Sequence, residues 1–364
     1  MRPQIVLIDG SNAAYRFKHT YSELGIDNKD GTFTNTGVQY GFMRMLDTLM
    51  EEFNPNCIIV ALDAPSYWRT DVFPTYKEGR RKKSDVYTQE EQDAADAFHT
   101  SDVPRSVDMM RRLGIPCLLA HKLEADDVIA SLVYRNKVNS DLVIVSTDKD
   151  FLQLVEPAVR VFNPITHKIT YYDKQMGGVI EGNTLLAPSG RTFLLRKTIV
   201  GDPSDSIQGV PGIGKVTVCN FISEEWLPTE SYAAYKERVG SDWADSKRGK
   251  ALLDADATIY SNLMVMDLGF QYSRLKMPPN LQVHEKVNYE LNKACGPFHT
   301  RRSCSRDILL VDKKFAADPS PFLTYFRRIE FQFANNPADA KSVKTKFYYQ
   351  MCAMLKMREE QTLV

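Results

Sequence analysis

The sequence predicts an α/β fold with a mainly parallel central sheet, and three observations lead there. Short apolar runs of strand length alternate with amphipathic helical stretches through the first half of the chain. Those runs are apolar on both faces, as strands covered on both sides of a sheet must be. Three of them end in aspartate or run directly into one, on the side where ligands of open α/β sheets gather. At 364 residues, the chain is long enough for two to three domains. A composition of 43% hydrophobic and 25% charged residues supplies a core.

The predicted strands are QIVLID (4–9), NCIIVALD (56–63), IPCLLA (115–120) and LVIVST (142–147). Between them, YGFMRMLDTLMEEF (40–53) puts Phe42, Met45, Leu46 and Leu49 at helical spacing. DDVIASLVYRN (126–136) does the same with Val128, Ile129, Leu132 and Val133. The chain turns helical and glycine-punctuated over roughly 185–290, and residues 291–364 cluster Lys and Arg among aromatics. No apolar run reaches the ~18 residues of a membrane span. The apolar start of MRPQIVLIDG is too short for a signal peptide. Cysteines 57, 117, 219, 295, 304 and 352 form no CxxC pair, so reduced thiols in a cytoplasmic protein are expected.

Acidic residues carry the strongest signal. EADDVIA (124–130) opens a helix with Glu124, Asp126 and Asp127. One acid there would be a helix cap, but three within four residues repel one another and call for a counter-charge. In STDKDFLQL (146–154), Asp148 and Asp150 share a side if the strand continues, and in GDPSD (201–205) Asp202 and Asp205 share one face of a turn. With Asp9 and Asp63 the set numbers nine, all oxygen donors with no His or Cys among them. Such donors suit Mg²⁺ or Mn²⁺ rather than structural zinc. Two such ions about 3.5–4 Å apart form a common apparatus for phosphodiester hydrolysis.

Two further stretches point to nucleic acid. GVPGIGKVTVCNFI (209–222) places Gly209, Gly212, Gly214 and Lys215 before an apolar helix. That turn offers backbone N–H groups to a phosphate and, lacking side chains, room for a DNA backbone. It is not a Walker A loop, because Val216 follows Lys215. SYWRTDVFPTYKEGRRKKSD (66–85) interleaves Arg69, Lys77, Arg80, Arg81, Lys82 and Lys83 with Tyr67, Trp68, Phe73 and Tyr76. Phosphate attraction with base stacking is how single strands are often held. The acidic YTQEEQDAADAF (87–98) that follows makes the pair read as a lid or arch.

VLIDGSNAAYRFKH, YWRTDVFPTYKEGRR, EADDVIA, STDKDFLQL and GDPSDSIQGVPGIGK together resemble the 5′ nucleases of the flap-endonuclease superfamily. The likeness is closest to the stand-alone phage ribonuclease H and 5′-exonuclease type. The motifs run in the family's order across roughly residues 4–220, and YSNLMVMDL (260–268) resembles a later family segment. The resemblance implies a central mixed sheet, a helical arch and a helix–hairpin–helix element gripping duplex DNA. It divides the chain into a nuclease core at 1–184 with the arch at about 66–107, a helical DNA-binding part at 185–290, and an extension at 291–364. It implies two Mg²⁺ ions, with Mn²⁺ able to substitute. Asp9, Asp63, Glu124, Asp126 and Asp148 fall in one metal group, and Asp127, Asp150, Asp202 and Asp205 in the other. Lys77 matches an arch lysine that contacts the scissile phosphate, Arg80 the following arch arginine, and Arg16 a basic residue near the substrate. The turn 209–214 resembles a site where main-chain carbonyls hold K⁺ against a DNA phosphate.

The expected activity is therefore metal-dependent 5′→3′ exonuclease and flap-endonuclease cleavage during DNA replication. The expected partners are 5′-ended or branched duplexes, 5′ flaps, RNA–DNA hybrids, and a single-strand-binding or clamp protein. A monomer is expected in the cytoplasm (the host's, if the source is a phage). With no polymerase motifs following the nuclease, a stand-alone enzyme is expected. The alternatives are a structure-specific DNA-binding protein without catalysis and a toxin-type ribonuclease. Formal net charge is zero, with 46 basic and 46 acidic residues. Setting the nine acids aside leaves 37 against 46, so a basic remainder surrounds an acidic pocket.

Overall fold

A computed structural model describes residues 2–268, apart from 65–67, 114, 120–122 and 229, and without the side chains of 72, 81, 83, 111, 112 and 135. The extension expected at 291–364 lies outside the described residues.

The chain opens with β1 (Gln4–Asp9) and α1 (Gly10–Thr20), and a short hairpin of β2 (Gly25–Asp27) and β3 (Phe33–Asn35) leads to α2 (Gly37–Phe53). Asp9 caps α1 by accepting the Asn12 N–H. Asn54, in the left-handed region, ends α2. Then come β4 (Cys57–Leu62) and the helices that form the arch: α3 (Trp68–Val72), α4 (Glu78–Ser84), α5 (Gln89–Ala97) and α6 (Val103–Arg112), the last two joined by a π-helical turn. A Thr88–Glu91 capping box starts α5.

The core continues through β5 (Cys117–Leu119), α7 (Ala125–Asn136), β6 (Asp141–Val145), a 3₁₀ turn at Lys149–Leu154, β7 (Val159–Asn163), β8 (Lys168–Asp173), β9 (Gly178–Glu181) and β10 (Thr184–Ala187). All eight long-range strands share one sheet, ordered β10-β9-β8-β7-β6-β1-β4-β5. β7, β6, β1, β4 and β5 are parallel, and β8 to β10 add an antiparallel wing. The sheet is thus mixed and mainly parallel. Period-two alternation sends Ile5 and Leu7 to the layer beneath α7, and Val6 and Ile8 to the layer beneath α1 and α2. Burial on both faces explains why these strands read as continuous apolar runs.

A third core belongs to the helices that follow: α8 (Gly190–Val200), α9 (Lys215–Phe221), α10 (Tyr232–Val239), α11 (Lys247–Leu253) and α12 (Asp256–Met266). Between α8 and α9 the chain makes a two-residue ladder of β11 (Gly201–Asp202) and β12 (Ile207–Gln208) around a 3₁₀ turn at Pro203–Asp205. Val210 N–H donates to the Ile199 carbonyl, and Asn262 Nδ2 donates to the Thr198 and Gln208 carbonyls, which fastens this hairpin to α8 and α12. Among the described residues no helix is long and apolar enough to cross a membrane.

The hairpin glycines divide in purpose. A Cβ on Gly209 would sit 2.0 Å from the Val200 carbonyl oxygen, so packing within the protein demands this glycine. This packing reason for glycine is separate from the room for DNA expected of the turn. Gly212 (φ +79°) and Gly214 have open space beside them. Gly209→Ala should destabilise the fold by about 1–3 kcal/mol, the usual penalty of overpacking, whereas Gly214→Ala should stay within about 0.5 kcal/mol of the parent. Urea unfolding of both variants checks this; equal stabilities would contradict it.

Candidate active site

Three adjacent parallel strands deliver the first acids. β6, β1 and β4 lie side by side, and Asp148, Asp9 and Asp63 follow their carboxyl ends. Asp9 is buried, accepting from Asn12 N–H at 3.1 Å and from Ser146 Oγ at 2.8 Å. Asp63 accepts the Ala125 N–H at 2.7 Å, which ties the end of β4 to the start of α7. Its own N–H donates to Ser11 Oγ. Asp148 does not continue the strand. It caps the 3₁₀ turn, its Oδ1 accepting the Asp150 N–H at 2.8 Å. The strand alternation expected for Asp148 and Asp150 is therefore replaced by a cap, because β6 has already ended at Val145.

Burial and mutual repulsion act on this group. Burial, reinforced by Asp63 and Asp148, pushes the Asp9 carboxyl up to about 7 against hydrogen bonds that oppose it. Burial and the Asp150 charge push Asp148 up to about 6. Burial raises Asp63 as well, with Glu124 adding to it.

The α7 acids are organised by one arginine. Arg69 is 1% exposed and sits among Glu124, Asp126 and Asp127. Its Nη1 and Nη2 grip Asp127 in a fork at 2.8 and 2.7 Å, Nη1 reaches Glu124 at 2.7 Å, and Asp126 lies 3.6 Å away. Nε donates to the Val265 carbonyl. Trp68 Nε1 and the Glu124 N–H also donate to Asp127. Glu124 accepts from Tyr76 Oη at 3.0 Å and pairs with the Lys77 ammonium. Burial opposes ionisation of Glu124, yet Arg69 and Lys77 outweigh it and hold its carboxyl below the usual range. Carboxylate oxygens of Glu124, Asp126 and Asp127 come within 4.8 Å of one another, as a metal site requires. Arg69, however, already neutralises much of that trio, so the less committed oxygens belong to Asp126 and to the acids facing it.

Those acids meet across a cleft lined by Asp126, Asp150, Asp202, Asp205, Lys197 and Tyr76, among others. Lys197, from the last turn of α8, pairs with Asp150 and lies 2.9 Å from Asp202. Asp202 caps its turn by accepting from Ser204 N–H and Oγ. Arg80 Nη2 lies 2.8 Å from Asp205. All nine predicted acids thus converge on one region.

The basic and aromatic expectations fare unevenly. Arg69, expected at the nucleic acid, is buried as a counter-ion, and Trp68 and Tyr76, expected to stack on bases, are core residues at 2% and 3% exposure. A charge facing three carboxylates is worth more inside the pocket than in solvent. Tyr67 and the Arg81 side chain lie outside the described parts. Arg16, in α1, packs its guanidinium on the Phe17 ring, and its Nη1 is buried with no acceptor among the described residues. Lys215 opens α9 exposed beside Gly214. Sequence reasoning missed Lys197 and the capping Ser146. The available signal for Lys197 was its place five residues before Asp202.

The family described as "5′-3′ exonuclease, N-terminal resolvase-like domain" matches residues 4–181. DNA polymerase I of Bacillus caldotenax is 33% identical over 251 residues, covering 68% of this chain and 26% of that protein. DNA polymerase I of Lactococcus lactis subsp. cremoris is 32% identical over 228 residues, 61% of this chain and 24% of that protein. The chain spans about a quarter of the length of these relatives. Among solved structures, T5 5′-exonuclease with bound zinc superposes with a TM-score of 0.64 at 21% identity, covering 85% of this chain and 99% of that one. A bacteriophage T5 flap endonuclease complexed with DNA and metal ions gives 0.61 at 20% identity over the same shares. At these identities the superpositions establish a shared fold.

The pocket predicts a particular pH response. The unfolded chain releases the Asp9 and Asp148 protons near the ordinary value of 3.8, and the folded chain near 7 and 6. Between those limits the folded state binds more protons, so the contribution of these groups to stability falls as pH rises from about 4 to about 7. A divalent cation bound to the ionised acids should remove that penalty. Mg²⁺ should therefore raise Tm more at about pH 8 than at about pH 5. Thermal unfolding at both values checks this, and an equal or reversed increment would contradict it.

Proposed function

Residues 4–181 belong to the flap-endonuclease and 5′-3′ exonuclease superfamily, and we propose that the protein hydrolyses phosphodiester bonds at 5′ ends and 5′ flaps of duplex DNA, and of RNA primers in RNA–DNA hybrids during replication. One observation carries the proposal: acids from α7, the turn after β6 and the hairpin turn line a single cleft beside the arch, and Asp9, Asp63 and Asp148 at the strand ends interact electrostatically with that group. Burial and mutual repulsion raise the carboxyls of Asp9, Asp63 and Asp148, which favours a cation beside them.

The donor set fits hard divalent cations, for which we take Mg²⁺ with Mn²⁺ as substitute. Asp9, Asp63, Asp126 and Asp148 would hold one, with Glu124 behind them; Asp150, Asp202 and Asp205 would hold the second. Asp127, assigned by resemblance to the second group, has both oxygens engaged by Arg69 and serves here as the anchor that orients its neighbours. When bound, such cations polarise the phosphate and lower the pKa of water.

The protein's own groups do the rest. Ser146 and the Ala125 N–H fix the orientation of the Asp9 and Asp63 carboxylates. The Lys77 ammonium is held charged, since Glu124 and Asp205 outweigh its burial. A DNA phosphate entering the cleft would exchange these carboxylates for its own oxygens, and Lys77 and Arg80 would then neutralise charge developing on it. Open backbone at Gly212 and Gly214, with Lys215, would hold the duplex phosphates, and hairpin carbonyls the K⁺.

A labelled 5′-flap duplex tests the proposal. The protein should cleave it in Mg²⁺ and not in EDTA. Asp148→Asn should slow cleavage by about 100-fold or more with flap binding retained in an anisotropy titration. Cleavage in EDTA, or unchanged turnover by Asp148→Asn, would defeat the assignment.

A further inference from the structure

Beside the apolar core that Tyr76 shares with Ile207 and Val210, a set of polar contacts latches the arch to the hairpin. Lys77 N–H donates to the Asp205 carbonyl at 2.9 Å, Gly79 N–H donates to Ser206 Oγ at 3.2 Å, and Arg80 pairs with Asp205. Both Lys77 (φ 55°) and Ser206 (φ 61°) lie in the left-handed region. Side chains other than glycine, asparagine or aspartate enter it at a cost, and keep it where the surroundings hold them there.

Each contact has a local cause. Gly79 lies in the first turn of α4, where backbone N–H groups have no partner inside the helix. The Ser206 hydroxyl satisfies one of them. On the other side, Ser206 is the residue between the Asp202–Asp205 turn and β12, and β12 runs directly into Gly209 and the open hairpin. The β11–β12 ladder and the Val210 bond to Ile199 make that connection short and stiff. The Arg80 pair adds little to the latch, because its guanidinium is 58% exposed and solvent screens it.

We propose that Ser206 is a positioning residue. Its hydroxyl transmits engagement of duplex at the hairpin to the arch segment that carries Lys77. A duplex phosphate pressing on Gly212–Lys215 would bear on β12 and Ser206, and through Gly79 on the foot of α4. The proposal rests on the nuclease reading above and adds a route by which duplex recognition sets the position of Lys77.

Single-turnover cleavage of the labelled flap by the full chain tests it. Ser206→Ala removes the acceptor, Ser206→Gly removes it while relieving the left-handed strain, and Ser206→Asn restores an acceptor that tolerates this backbone. At saturating protein, the Ala and Gly variants should each cleave roughly 3- to 10-fold more slowly, the effect of one neutral hydrogen bond. Their flap Kd should stay within about twofold of wild type, and Asn should recover the rate to within about twofold. Combining Ser206→Gly with Lys215→Ala should give a rate loss smaller than the product of the two single losses. Unchanged rates, a loss confined to Kd, a failure of Asn to rescue, or strictly multiplicative effects would overturn the coupling. Wild-type protein that leaves the flap intact would overturn the nuclease reading, and the coupling with it. Cleavage by wild type alongside unaffected Ser206 variants would overturn the coupling alone.

Discussion

The fork between Arg69 and Asp127 is the interaction on which the rest of the structure depends. It is a buried ion pair at 2.7 Å with side chains 2% and 1% exposed. Removing one partner of such a pair costs about 3–5 kcal/mol, because an uncompensated charge stays inside. Replacing both by apolar groups is often harmless, so the pair is better explained by what it positions. Arg69 joins α3 to the first turn of α7 and, through the Val265 carbonyl, to α12. It thereby fixes where Glu124 and Asp126 face.

Positive charge is rationed across the pocket. Arg69 serves the α7 acids, Lys77 serves Glu124, Lys197 serves Asp150 and Asp202, and Arg80 serves Asp205. Asp9, Asp63 and Asp148 have hydrogen bonds from Asn12, Ser146, Ala125 and Asp150, but their carboxyls remain raised. Hydrogen bonds orient a carboxylate without supplying a full counter-charge. The acids at the strand ends are thus oriented by hydrogen bonds, and these ends lie where β1 separates β4 from β6, a switch in strand order.

Much of this was legible in the sequence. The four apolar runs are strands in the sheet, because their uninterrupted Val, Ile and Leu content has one physical solution, burial on both faces. The nine acids were legible because each follows a strand or opens a turn, and topology then gathers them. What local pattern could not tell is which side chain answers which. Arg69 and Trp68 looked like a nucleic-acid surface because their neighbours are basic and aromatic, yet long-range pairing with Asp127 buries both. Asp127 looked like its neighbour Asp126, though one is enclosed by the fork and the other lines the cleft. Gly209 looked like Gly214 until the Val200 carbonyl was found against it.

The central proposal is that the acids gathered at this site hold divalent metal. Counting Mn²⁺ bound to the free protein by electron paramagnetic resonance tests this most directly. The account predicts saturable uptake of two ions, falling to one in Asp150→Asn, whose partners lie in the second group. Absence of saturable binding, or a stoichiometry indifferent to that substitution, would contradict it.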